Sequence, residues 1–132
     1  MKHVAWLVLV AGLCLLGCNG SHHSSTEPTS SAPVIANLKA FPVVRSDAST
    51  GALPLSFDYA DPDGDVSQVV VTVAEGPATN PAEGTAGRTA GTISFVQSVR
   101  LPATTGQLTF SVQVFDAAGH PSNILQGQAN IP

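Results

Sequence analysis

An antiparallel β-sandwich of about seven strands is the all-β fold this sequence predicts for residues 34–132. Three observations lead there. Apolar and polar residues alternate with period two in one short run after another, and Pro, Gly and Asp punctuate the runs. No window beyond the first 17 residues sustains a 3.6-residue apolar repeat. Six or seven such runs in about 100 residues match what two packed sheets need around one core.

Taken in order, the chain opens with "MKHVAWLVLVAGLCLLGC". Lys2 gives a positive start, and the apolar run from Val4 to Gly17 is shorter than the roughly 20 residues that cross a bilayer. It has the length of a signal-peptide core, so residues 1–17 are expected to be a signal peptide. Its end, Leu15-Leu16-Gly17-Cys18, resembles the lipobox of bacterial lipoprotein precursors, with Leu16 a less common occupant of its position. The resemblance implies cleavage between Gly17 and Cys18, acylation of the Cys18 sulfur, and a mature chain that begins at Cys18. It also implies two or three acyl chains. Each buried CH2 contributes about 0.8 kcal/mol, so that number suffices for stable membrane anchoring. Asn19, where Asp would retain a lipoprotein at the inner membrane, implies an outer-membrane location if the organism has two membranes.

Residues 18–33 then read as a lipidated Cys followed by a flexible tether, since "NGSHHSSTEPTSSAP" has no aliphatic side chain larger than Ala. Such a tether reaches roughly 20 Å. His22-His23 in it are not expected to hold a metal. From Pro33 the texture becomes β-like. A first strand is expected over 33–41, with Val43-Val44 extending it past the break at Pro42. "LPLSFDY" places Leu53, Leu55, Phe57 and Tyr59 on one face. "VSQVVVTVA" places Val69, Val71 and Val73 together, with Val66 and Val70 on the other face. Residues 75–91 are expected to be a mobile connection with a short edge strand inside it, a partner-binding loop being the alternative. "TISFVQSVRL" points Ile93, Phe95, Val99 and Leu101 inward, and "QLTFSVQVF" does the same with Leu108, Phe110, Val112 and Val114. "NILQGQANI" closes the domain with Leu125, Ala129 and Ile131 on one parity.

"APVIANLKAFP", "LSFDYADPDGDVSQVVVTV" and "LTFSVQVFDAAGHPSN" together resemble bacterial extracellular immunoglobulin-like domains, the broad group that includes PKD, cadherin-like and fibronectin type III-like repeats. The resemblance spans nearly all of 33–132 and implies an immunoglobulin-like sandwich. Its motifs are structural turns and imply no activity. The mature chain has no Trp and no Cys pair, which sets it apart from antibody-type domains.

Composition excludes several functions. Cys14 lies in the signal and Cys18 is the lipidation site, so the folded region has no disulfide, thiolate metal site or Cys nucleophile. Residues 18–132 carry four basic side chains (Lys39, Arg45, Arg88 and Arg100) against nine acidic ones, a formal charge of −5. No nucleic-acid partner is expected, because phosphate neutralisation needs clustered Lys and Arg. An aromatic platform for sugars is not expected either, since most of the Phe and Tyr residues fall on inward parities and only Phe41 and Phe115 are candidates for exposure.

Charge concentrates in one place, Asp61-Pro62-Asp63-Gly64-Asp65. Alternating carboxylates suit a hard cation such as Ca2+, whose six to eight ligands are oxygens. The EF-hand pattern fails: counted from Asp61, Gly falls at position four and Thr72 at position twelve. In an immunoglobulin topology this loop shares a pole with the hairpin loop 116–122. Asp116 would then approach Asp61, Asp63 and Asp65, with carbonyls and Asn123 completing a shell. The same residues are those a tight turn requires, so a turn alone and a Ca2+ site both stand as readings. His120 is the only histidine of the folded region, and with Asp116 and Ser122 beside it in one loop a catalytic triad is not expected. Paired-carboxylate glycoside chemistry is likewise not expected. The resulting expectation is a lipid-anchored, non-enzymatic envelope protein whose sandwich interacts with an envelope protein or surface material. The alternatives are an accessory subunit of an envelope enzyme or transporter, and a Ca2+-stabilised adhesion module.

Overall fold

The computed structural model describes residues 30–132. The signal segment 1–17, the lipidation site Gly17-Cys18, and residues 19–29, including His22-His23, lie outside the described residues. Among the described residues no helix is long and apolar enough to cross a membrane.

Eight strands form two antiparallel sheets: β1 (Val34–Ala40), β2 (Val44–Arg45), β3 (Thr50–Ala60), β4 (Val66–Val73), β5 (Gly76–Pro81), β6 (Ala90–Arg100), β7 (Gly106–Asp116) and β8 (Leu125–Ile131). The first sheet is built on β3. β6 pairs with its whole length, from Thr50↔Arg100 to Ala60↔Ala90. β1 and β2 lie end to end along its other edge, β1 against 55–60 and β2 against 51–52. The break between them falls at Pro42, which has no N–H to give the ladder. The second sheet runs β5-β4-β7-β8. The all-β antiparallel sandwich expected from the alternation is the fold observed, with eight strands where about seven are expected.

The core is the sum of the inward parities. Leu53, Leu55, Phe57 and Tyr59 of β3 are buried, and across from them Leu108, Phe110, Val112 and Val114 of β7 are buried too. Phe57 meets Phe95 edge-to-face at a centroid distance of 6.4 Å, the geometry that opposes positive ring edge to negative ring face. The sheets are also stitched at one side, where Val43 N–H donates to the Asn130 carbonyl at 2.9 Å. The Arg45 guanidinium, near the start of β3, donates to the carbonyls of Ala48, Pro102, Thr104 and Pro132.

Three departures from simple alternation have local causes. Val66 is buried with Val69 and Val71 rather than lying on the opposite face. The β4–β7 register shifts between Val66 and Gln68, and this bulge at Ser67 flips the parity of what precedes it. Within the 75–91 connection, Gly76–Pro81 forms a six-residue outer strand paired with β4. This is the short edge strand expected there, and its small and polar side chains show no apolar alternation. Gln97, on the inward parity of β6, is buried because its Oε1 accepts from Asn80 Nδ2 at 2.7 Å across the sheets. Phe41 is exposed as expected, at 52%, and Phe115 is half-buried.

Candidate functional site: the acidic pole

β3 ends at Ala60, and the next residue turns the chain toward the second sheet. Asp61 N–H donates to the Thr89 carbonyl at 2.8 Å, and Gly64 N–H returns to the Asp61 carbonyl at 3.1 Å, closing a four-residue turn. Gly64 sits at φ +67, the left-handed region that a Cβ disfavours. A Cβ there would also lie 3.1 Å from the Gly87 carbonyl carbon, because loop 82–89 passes directly beneath. That loop is pinned by Thr85, whose buried hydroxyl sits 2.8 Å from the Val66 carbonyl and 2.7 Å from that of Ala82.

The hairpin loop after β7 meets this turn. Val66 pairs with Asp116, and Ala117 N–H donates to the Asp65 carbonyl at 3.0 Å. Ser67 reinforces the junction through its hydroxyl, 2.9 Å from the Asp116 carbonyl. The fold thus brings Asp61, Asp65 and Asp116 to one pole, where the sequence reading places them, with Asp63 at its exposed rim.

Their environments differ sharply. Asp116 is buried but well supplied with donors. Its Oδ1 accepts from His120 N–H at 2.7 Å, and its Oδ2 faces His120 Nδ1 at 2.8 Å and accepts from the Ser30 hydroxyl at 2.9 Å. Burial alone would raise its pKa, but the His120 backbone and ring, Ser30 and the His120 charge together hold it below the ordinary carboxylate value. Asp63 Oδ2 accepts from Ser31 N–H. Asp61 is 0% exposed: its Oδ2 accepts from Asp65 N–H at 2.8 Å, while its Oδ1 is buried without a partner. Asp65 Oδ1 is buried without a partner as well. Burial raises the Asp65 pKa, and the charges of Asp61, Asp116 and Asp63 raise it further.

The remaining residues of the sequence reading are otherwise engaged. Asn123 does not join a ligand shell, because its side chain clamps Ile35, accepting from its N–H at 2.8 Å and donating to its carbonyl at 2.9 Å. Ser122 accepts from Val114 N–H and donates its hydroxyl proton to the Asn123 carbonyl at 2.7 Å. It is therefore not engaged with His120, whose side chain is 48% exposed and paired with Asp116. Among the described residues, no three His, Cys, Asp or Glu side chains stand together at metal-ligating distance. What the pole offers is a pair of unsatisfied carboxylate oxygens in a field of negative charge, an arrangement that can take a proton or a hard cation. Surface grooves lie elsewhere, one between outer strands β5 and β6 along Asn80, Pro81 and Phe95. Ser30 and Ser31 were illegible as contributors, since nothing in a Ser-rich stretch marks which residue meets a carboxylate 86 or 32 positions away.

Similar solved structures include the PKD domain of an M14-like peptidase from a Thermoplasmatales archaeon, at 17% identity over 78% of this chain and 98% of that one, with a TM-score of 0.49. The PKD1 domain of Vibrio anguillarum Epp shares 19% identity over 78% of this chain and 99% of that one, with a TM-score of 0.41. A Niemann-Pick type C2 protein from Japanese carpenter ant shares 9% identity over 80% of this chain and 96% of that one, with a TM-score of 0.48. Similarity at this level carries no conclusion about fold, ligands or activity. No curated protein matches the chain. The family profile described as Bacterial Ig domain matches residues 30–125, nearly the whole folded region, and by that match the chain belongs to the bacterial Ig domain family.

Proposed function

We propose that this is a lipid-anchored protein of the bacterial cell envelope whose Ig-like sandwich is a non-catalytic interaction or structural module. The observation that carries the anchor is Leu15-Leu16-Gly17-Cys18 at the end of a Lys-led apolar run, followed at once by a polar stretch. Membership of a bacterial Ig family supports the module, since such domains are typically non-catalytic and belong to extracellular or envelope-associated proteins. In this reading Cys18 carries the acyl chains, residues 19–29 connect them to the domain, and the acidic pole, where Ser30 and Ser31 meet Asp116 and Asp63, is the end nearest the membrane. Asn19 favours the outer membrane in an organism that has two.

Cell fractionation of the Cys18→Ser variant tests the anchor. The wild type should partition with membranes and show the added mass of acyl chains on its N-terminal peptide, and the variant should lose both. A Cys18→Ser variant that stays membrane-bound, or a wild-type peptide without acyl mass, would contradict the reading. Proximity labelling from the anchored protein separates an interaction module, which should enrich the same few neighbours reproducibly, from a passive structural one.

A further inference from the structure

We propose that the Asp61–Asp65 turn binds a hard divalent cation of the Ca2+ class, with the carboxylates of Asp61 and Asp65 as its anionic ligands. The inference is independent of the membrane anchor. Buried acceptors are almost always satisfied in native proteins, and one left without a donor bears its full desolvation cost. Among the described residues, the buried side-chain atoms without a partner are Asp61 Oδ1 and Asp65 Oδ1, four residues apart in one turn. Two such orphans side by side indicate one missing positive group rather than two separate defects.

Among the described residues no Lys or Arg supplies that charge. Among the described residues the imidazole of His120 meets the carboxylate of Asp116 at 2.8 Å, and its Nδ1 is spent there. No Lys or Arg bonds to Asp61, Asp63, Asp65 or Asp116 among the described residues. Among the described residues, the turn therefore gathers negative charge that no Lys or Arg neutralises. The donors are all oxygens, which selects a hard cation over metals that prefer nitrogen or sulfur. With only two carboxylates at the centre, carbonyls and water must complete the shell. Ca2+ tolerates such irregular coordination, whereas Mg2+ demands a near-ideal octahedron. The expected affinity is that of weak extracellular modules, on the order of 0.1–1 mM. Asp63 and Asp116 add charge from the periphery. Because Ser31 and Ser30 bond to those two residues, occupancy should be felt where the N-terminal segment enters the domain.

A proton shared between Asp61 and Asp65 is the rival occupant, and the test separates the two. The full chain, stripped with EDTA and held in detergent at neutral pH, is titrated with CaCl2 to about 10 mM, well past that affinity range. Binding is read by calorimetry, by the thermal midpoint and by the Ser31 amide resonance. The proposal predicts saturable heat, a midpoint raised by several degrees and a moving Ser31 resonance. Asp65→Asn should weaken binding at least about tenfold, the loss of one charged ligand, while Asp47→Asn, in a different turn, should bind as the wild type does. Asp65 is the variant of choice because its carboxylate accepts from no N–H or hydroxyl among the described residues, so Asn there removes the charge beside Asp61 without removing such a bond. Asp61→Asn is the second variant. Absence of heat and midpoint shift at that Ca2+ concentration would overturn the proposal in favour of the proton. An undiminished response in Asp65→Asn would overturn the site, and a Mg2+ response equal to that of Ca2+ would overturn the choice of ion.

Discussion

Strand β3 starts from one aspartate turn and ends in another, and the two are solved in opposite ways. At its start, Asp47 lies in the open. Its Oδ1 accepts from Ser49 N–H at 2.7 Å, Ser49 hydroxyl at 3.1 Å and Thr50 N–H at 2.8 Å, and its Oδ2 accepts from the Thr50 hydroxyl. Those donors, Thr50 hydroxyl first, lower its pKa to about 2. At the other end, Asp61 and Asp65 are drawn inward, share one internal hydrogen bond and leave two oxygens unmet. Sequence explains the contrast. Asp47 is followed by Ala, Ser and Thr, the last two carrying their own donors, whereas Asp61 is followed by Pro, Asp, Gly and Asp, which bring no hydroxyl and more negative charge. The first turn is self-sufficient. The second leaves two buried carboxylate oxygens without a partner among the described residues.

The largest expected effect breaks the second turn mechanically. Gly64→Ala forces a Cβ into φ +67 against the Gly87–Arg88 backbone, at a cost of about 1–3 kcal/mol. Denaturant unfolding should show the loss, while Ala48→Gly in the first turn should change stability far less. Next, Asp47→Ala removes the acceptor for two N–H and two hydroxyl groups and should lower the thermal midpoint. Asp65→Asn, measured in EDTA, should raise it by relieving charge repulsion. The same sign for both substitutions would erase the distinction between the turns.

A smaller effect is the pH dependence, and its sign differs between the two. Asp47, lowered in the fold, contributes stability that is present above the ordinary carboxylate value near 3.8 and is lost as pH falls through about 2. Asp65, raised in the fold, contributes in the opposite sense. The folded chain holds its proton longer than the unfolded chain, so stability falls as pH rises through the window just above 3.8. In EDTA, Asp47→Asn should flatten the acid limb of the stability curve, and Asp65→Asn the limb above it.

The sequence carried most of this fold because a half-buried strand writes its burial directly into alternation. The inward faces of β3 and β7 are legible residue by residue. It carried less where backbone geometry intervenes. The bulge at Ser67 reverses Val66, and the edge strand expected inside 75–91 has bounds that its small and polar side chains, without apolar alternation, do not mark. At the pole, the meeting of Asp61, Asp65 and Asp116 followed from topology, because the loop after β3 and the loop after β7 emerge on the same side. The allocation of donors did not. Whether Asn123 faces the carboxylates or Ile35, and whether Ser30 reaches Asp116, depends on contacts between residues more than 80 positions apart. Alternation holds no record of such contacts.

Carbon-13 titration of the individual carboxyl groups, in EDTA and again in saturating Ca2+, tests the contrast between the turns most directly. Asp47 should inflect near 2 in both conditions. Asp65 should inflect above the ordinary carboxylate value in EDTA and move well below its EDTA value when Ca2+ is present, because a bound cation favours the ionised form. An Asp65 inflection unchanged by Ca2+, or one as low as that of Asp47 before Ca2+ is added, would contradict the account.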